Sequence, residues 1–331
     1  MKEVIPGIYQ LPLPLPDQFL GHINTYLVRG DGQSLLVDTG WNAPEAFNSL
    51  QEQLAEIGVK IEEITQIVVT HIHPDHYGLA GRLKQLSGAE IMAHHLEKDL
   101  IESRYVNMAG LLAQLAEWLR INGVPANELP QLQTASLDLT ALVTPVIPDV
   151  DLHGGETITV GTFSFRVLWS PGHSPGQICL YEPEQKVLLS GDHILAEVTP
   201  NIGLNPQSGP DPLHDYLNSL STMKKLDTTL ILPGHGRPFT GLNTRIEELF
   251  HHHEERCAEI LRALNSTQRT AYQVATMITW MPETGGVNLS KLEPWDRRIA
   301  VMETLAHLEA MKNEGKLDKI TKGDIIYYQP K

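Results

Sequence analysis

Four apolar runs in this chain end in the same way. "VVTHIHPDHYG", "VLWSPGHSPG", "VLLSGDH" and "LILPGHG" each pass from an aliphatic or β-branched run into a tight loop, marked by Gly or Pro, that carries His or Asp. Runs of that kind read as short buried strands, and the loops after them as carriers of chemistry. A chain built this way is held to an architecture in which strands form the frame and their ends form the site.

The first loop is the densest. Successive side chains of an extended segment point to opposite sides, so His71 and His73, two apart, aim at one point. Pro74 then bends the chain and starts a turn, which sets Asp75 and His76 toward a neighbouring point. One metal ion needs at least about three ligands and an open position for water, so this loop alone does not complete two sites. The missing ligands must come from elsewhere, and His173, Asp192 and His235 occupy equivalent places in the other three loops. Asp75 is a candidate proton carrier, because a carboxylate beside a metal is both ligand and acceptor. His193, directly after Asp192, is a candidate substrate contact or proton donor, with support of the ligands as the plainer role.

Around these loops the pattern alternates strand and helix in an α/β manner. Early strands are expected at "GIYQLPLP", "NTYLVRG" and "QSLLVDTG", the last two joined by the Gly30-Asp31-Gly32 turn. Phe47, Leu50, Leu54 and Ile57 recur at helical spacing before Gly58. Residues 97–144 read as a helical insertion and a candidate lid, with Leu111, Leu115, Trp118 and Leu119 on one face. From residue 245 to 331 the strands give way to three helices and a closing hairpin, a candidate second domain after one spanning 1–244. His251, His252 and His253 lie mid-helix, where neighbours point about 100° apart and do not converge on one ion.

Composition excludes more than it assigns. No apolar stretch is long enough to cross a membrane, and "MKEVIPGIYQ" lacks the order of a secretory signal, so no membrane role and a cytoplasmic location are expected. Cys179 and Cys257 are the only cysteines, too few for a thiolate metal site. A net charge of −15 disfavours polyanions, and the helix "RRIAVMETLAHLEAMKNEGK" mixes Glu303, Glu309 and Glu314 with its cations, so nucleic acid is not an expected partner. Trp280, Trp295, Ile299 and Met302 are instead expected to pack against the catalytic body or a second copy in a homodimer.

With the HxHxDH cluster and the three later loops in hand, the sequence resembles the metallo-β-lactamase superfamily over about Val4 to Arg237. The resemblance implies an αββα sandwich with two divalent metal ions at one edge. It places His71, His73 and His173 on one ion, Asp75, His76 and His235 on the other, and Asp192 between them. Asp38 in "LLVDTG" matches an early aspartate that supports the ligands from behind. It also implies a hydroxide shared by the two ions as nucleophile, acting on a small carboxylic ester, thioester or lactone, in the manner of hydroxyacylglutathione hydrolases. Imidazole and carboxylate suit zinc first, with iron or manganese as alternatives. The C-terminal segment resembles the winged-helix module of a subgroup that includes β-lactamase-like endoribonucleases and polyketide-pathway thioesterases. Metal-dependent endoribonuclease or phosphodiesterase is therefore the second reading. The electrostatics and enclosure of the pocket decide between them.

Overall fold

A computed structural model describes residues 1–15, 21–281 and 285–331. Two sheets form its centre. The first runs in the order β1 (Lys2–Ile5), β2 (Ile8–Pro14), β3 (His22–Gly30), β4 (Gln33–Val37), β5 (Gln66–Val68), β6 (Glu90–His94) and β7 (Val150–Leu152). Its first four strands pair antiparallel and the rest parallel. The β3–β4 connection turns at Asp31 and Gly32, both at positive φ (49° and 78°), the backbone that a two-residue hairpin turn demands. The second sheet contains β8 (Thr157–Val160), β9 (Phe163–Trp169), β10 (Ile178–Glu182), β11 (Val187–Gly191) and β12 (Leu230–Pro233), antiparallel except for the β11–β12 pair.

Strand residues divide by parity between three apolar clusters. Leu35, Val37, Val68 and Met92 of the first sheet meet Leu180, Leu189 and Leu232 of the second, and these form the centre of the sandwich. The alternate residues Leu36, Ile67 and Ile91 face outward onto α1 (Pro44–Glu56) and α3 (Ala80–Ser87). Cys179, Tyr181, Leu188 and Ile231 face the opposite way, onto the later helices. Both faces of both sheets are covered, which is why these strands read as continuous apolar runs. The result is the expected αββα layering.

Between α1 and α3 the short α2 (Pro74–Tyr77) follows the first ligand loop. The helical insertion begins directly at the end of β6, slightly earlier than expected, with α4 (His95–Ile101). A π-helical turn (Glu102–Val106) follows, then α5 (Ala109–Ile121), α6 (Leu129–Thr134) and α7 (Leu137–Thr140). After β11 comes α8 (Pro212–Met223), and after β12 come α9 (Leu242–Leu264), α10 (Ala271–Ala275), α11 (Pro294–Asn313) and the hairpin β13 (Leu317–Lys322) and β14 (Ile325–Pro330).

The C-terminal segment shares its core with the sandwich. Leu249, Ile260, Leu305 and Leu308 belong to the same cluster as Leu188 and Ile231 and as Leu115, Leu119 and Leu132 of the insertion. The boundary expected at residue 244 falls in the first turn of α9. The helix α11 is buried on every side from Thr304 to Met311, with Arg298, Ala300 and Val301 buried before that. Glu309 within it accepts the Tyr328 hydroxyl (2.5 Å), and Lys319 lies against the same carboxylate. Its acids thus serve the interior as well as the surface.

Candidate metal centre

Strands β9, β11 and β12 run in the same direction, so their C-terminal ends share one edge, where the loop after β5 joins them. The carboxyl ends of strands are where open α/β sheets place ligand sites. Three groups of donors converge there: His71, His73 and His173; His71, His76 and Asp192; Asp75, His76 and His235. His73 Nδ1 lies 2.8 Å from His71 Nε2 and 3.0 Å from His173 Nε2. His235 Nε2 lies 3.1 Å from Asp75 Oδ2. Asp192 spans the two ends, with Oδ1 3.3 Å from His76 Nε2 and Oδ2 3.4 Å from His235 Nε2 and 3.9 Å from His173 Nε2.

The far sides of the rings fix which nitrogen faces the centre. His173 Nδ1 donates to Asn201 O and His235 Nδ1 to His22 O, both at 2.9 Å, which makes Nε2 the nitrogen that each ring turns toward the centre. His76 Nδ1 meets Asp38 Oδ2 at 2.8 Å. Asp38 also accepts Thr70 N (2.8 Å) and Thr70 Oγ1 (2.9 Å), so the aspartate expected behind the ligands ties β4 to the first ligand loop.

Electrostatics divide the donors into two sets. Burial, reinforced by neighbouring imidazoles, holds His71 and His73 well below the usual histidine range, and burial lowers His173 too. Burial also opposes charge on His76, but Asp192, Asp38 and Asp75 outweigh it and raise the ring. At His235 the same opposition is overcome by Asp192 and Asp75, which carry it up to about 10. Against burial, His76 and His235 bring Asp75 down to about 2, and His235 and His76 hold Asp192 well below the carboxylate range. Without ions, then, one end offers three neutral imidazoles and the other keeps protons where a cation would sit. His76 Nε2, His235 Nε2 and Asp192 Oδ1 are buried with no hydrogen bond of sound geometry. Buried groups left this way call for a partner, and a set of imidazoles and carboxylates fits divalent transition metals.

Some supporting residues are silent in the sequence. Glu97, fully buried in α4, accepts Ile72 N (2.9 Å), Gly176 N (2.7 Å) and the Ser174 hydroxyl, clamping the His71–His73 loop to the His173 loop. The one signal for it is its position four residues before buried Ile101, on the face that the helix hides. Gly234 is needed for close approach, since a Cβ there would stand 2.4 Å from Asp192 Oδ1. Asn24 donates to Pro233 O (3.0 Å) and Gly236 O (2.7 Å), pinning the His235 loop to the first sheet.

His193 is fully buried, with neither ring nitrogen hydrogen-bonded, and its ring packs edge-on against Tyr216 at 5.0 Å. Burial holds it at about 3, a neutral ring outside the groups of converging donors. His253 lies buried against His307 (Nδ1 to Nε2, 3.1 Å), while His251 is exposed beside Glu255.

At His73 and Pro74 the centre opens into a cavity of about 180 Å³, walled by Tyr105, Met108, Leu111, Leu112, Leu115 and Leu137 from the insertion. Trp295, Ile299 and Met302 of α11 close its other side. Three of the apolar residues expected to contact the body or a second copy therefore face this pocket, and Trp280 is buried under Arg256 (4.8 Å). Asn201, whose carbonyl holds His173, also donates its side-chain amide to Glu303 Oε2 of α11 (2.9 Å).

The model of the metallo-beta-lactamase superfamily matches residues 19–235, a span containing every converging donor. A solved metallo-beta-lactamase family protein from Thermus thermophilus is 31% identical with a TM-score of 0.85, covering 99% of this chain and 100% of that one. The probable metallo-hydrolase YqjP of Bacillus subtilis is 29% identical over 96% of this chain and 97% of its own length. The human acyl-coenzyme A thioesterase MBLAC2 is 31% identical over 51% of this chain and 57% of its own length.

Proposed function

The chain belongs to the metallo-β-lactamase superfamily, and from that membership we propose that it is a dinuclear metal-dependent hydrolase of a small carboxylic ester or thioester. The observation that carries this reading is the small, largely apolar cavity at His73, whose size and lining between the insertion and α11 suit an acyl chain better than a polynucleotide. The resemblance of about half the chain to an acyl-coenzyme A thioesterase supports the thioester side.

His71, His73 and His173 would hold one ion, Asp75, His76 and His235 the other, and Asp192 would reach both. When bound, such a pair supplies Lewis acidity and water that ionises near neutral pH. The chain's residues do the rest. Asp38, Asn201 and the His22 carbonyl fix the imidazole tautomers. Asp75 keeps Oδ1 free of hydrogen bonds among the described residues, placed to take a proton and pass it to the departing thiol or alcohol. Met108, Leu111, Leu112 and Met302 exclude bulk water from the acyl side. Buried His193 supports the Asp192 loop from behind. The C-terminal helices and hairpin act as a winged-helix-like buttress whose central helix is spent on the core. Zinc is the first metal to test.

Screening the zinc-loaded protein against acyl thioesters, aryl esters, lactones, phosphodiesters and single-stranded RNA tests the reading. Turnover confined to acyl substrates is the expected result; cleavage of RNA or phosphodiesters alone overturns it.

A further inference from the structure

The cavity has an electrostatic character at odds with the rest of the chain. In a protein of net charge −15, it is lined by Arg104 and Arg298 and, among the described residues, by no Asp or Glu. Elsewhere Arg120, Arg237, Arg245, Arg256 and Arg297 each reach a carboxylate. Arg298 is occupied: it donates to Leu132 O (3.1 Å) and Gln133 O (3.3 Å) and lies 4.6 Å over Trp295. Arg104 is not.

Arg104 sits in the π-helical turn, a rare element that collects at functional sites. Its Nε donates to Gln207 Oε1 (2.7 Å), and Gln207 is held in turn by Ser103 Oγ (2.8 Å) and Asn205 Oδ1 (2.8 Å). The stem is therefore fixed while both Nη groups lack a hydrogen bond or ion pair among the described residues. Arg104 and His73 line the same cavity. A guanidinium fork held still, half-buried and unpaired, matches the geometry of a carboxylate or phosphate.

Resting on the acyl-hydrolase reading, we propose that Arg104 forms an oxyanion-binding subsite, so that the preferred substrate is an ester or thioester whose acyl portion carries a carboxylate or phosphate a few bonds from the scissile carbonyl. The apolar wall then holds the intervening methylenes, and Gln207 is a positioning residue for the arginine.

The test measures binding of two stable ketones, levulinate and its uncharged counterpart methyl propyl ketone, to zinc-loaded protein by calorimetry. Wild-type protein should bind levulinate at least about tenfold more tightly, the worth of one charge-assisted pair. Arg104→Gln should reduce that ratio to near one, Arg104→Lys should recover part of it, and Arg262→Gln, on an exposed face of α9, should leave it unchanged. Metal content and circular dichroism establish that each variant is folded. Acetonylphosphonate binding more tightly than levulinate, again through Arg104, assigns the subsite to phosphate. An advantage for levulinate that survives in Arg104→Gln, or no advantage at all, overturns the proposal. Steady-state comparison of succinyl and butyryl thioesters separates the two claims. Turnover without dependence on Arg104 removes the subsite alone. Levulinate binding that depends on Arg104 with no acyl turnover removes the acyl-hydrolase reading and keeps the subsite.

Discussion

Asp38 adopts a left-handed backbone (φ 62°), costing on the order of 1 kcal/mol for a residue with a Cβ, because there its carboxylate reaches Thr70 and His76 together. Asp38→Asn keeps the shape and removes the charge that fixes His76. Metal affinity should fall about 10–100-fold by chelator competition, and an unaltered affinity would contradict the role. Protonation gives a second prediction. Aspartates raise His76, and carry His235 to about 10, so in metal-free protein both stabilise the fold fully below the unfolded value near 6.5. That contribution is lost as pH rises through the raised values. Metal must displace these protons, so loading at pH 7 should release protons and affinity should climb with pH. Calorimetry in buffers of different ionisation enthalpy reads the release, and none observed would refute this charge state. The converging donors were legible because each follows an apolar strand. Glu97 and Asn201 were not, since their partners lie far away in sequence and no local pattern marks them.

At the scale of elements, α5 and α11 wall the cavity at His73 from opposite sides. Met302→Ala or Leu112→Ala should shift preference toward longer acyl chains, with kcat/KM for short ones falling up to about tenfold, the worth of a methylene or two. An unchanged chain-length profile would show that this cavity does not hold the acyl group. Periodicity marked α1 and α5, which bury one face each. It could not assign the role of α11, which is buried nearly all round, so its glutamates looked like a surface feature. The helix α8 had a readable start at Asp211-Pro212, where Asp211 accepts His214 N, and Leu213, Tyr216 and Leu220 at helical spacing. Its signal was masked by the loop-like residues before it.

On the outer face of the second sheet, a single apolar cluster of the described residues joins that sheet, the insertion and the C-terminal helices. Truncation before α9 should therefore give aggregated protein and weaken metal binding at His173 by releasing Asn201 from Glu303. A soluble truncated form with full metal content would show instead that the two parts are independent domains. The change from strands to helices after residue 244 is visible in the sequence, whereas the shared apolar cluster is a matter of packing. The most direct test of the metal-dependent hydrolase is acyl-thioester turnover by wild-type protein and Asp192→Asn, each with its metal content measured. Wild-type protein should carry about two ions per chain and turn over, with activity lost to chelator and restored by zinc. Asp192→Asn should lose more than about a hundredfold in kcat. Thioester turnover that persists undiminished in metal-stripped protein, or in Asp192→Asn, would contradict a metal-dependent mechanism at this centre.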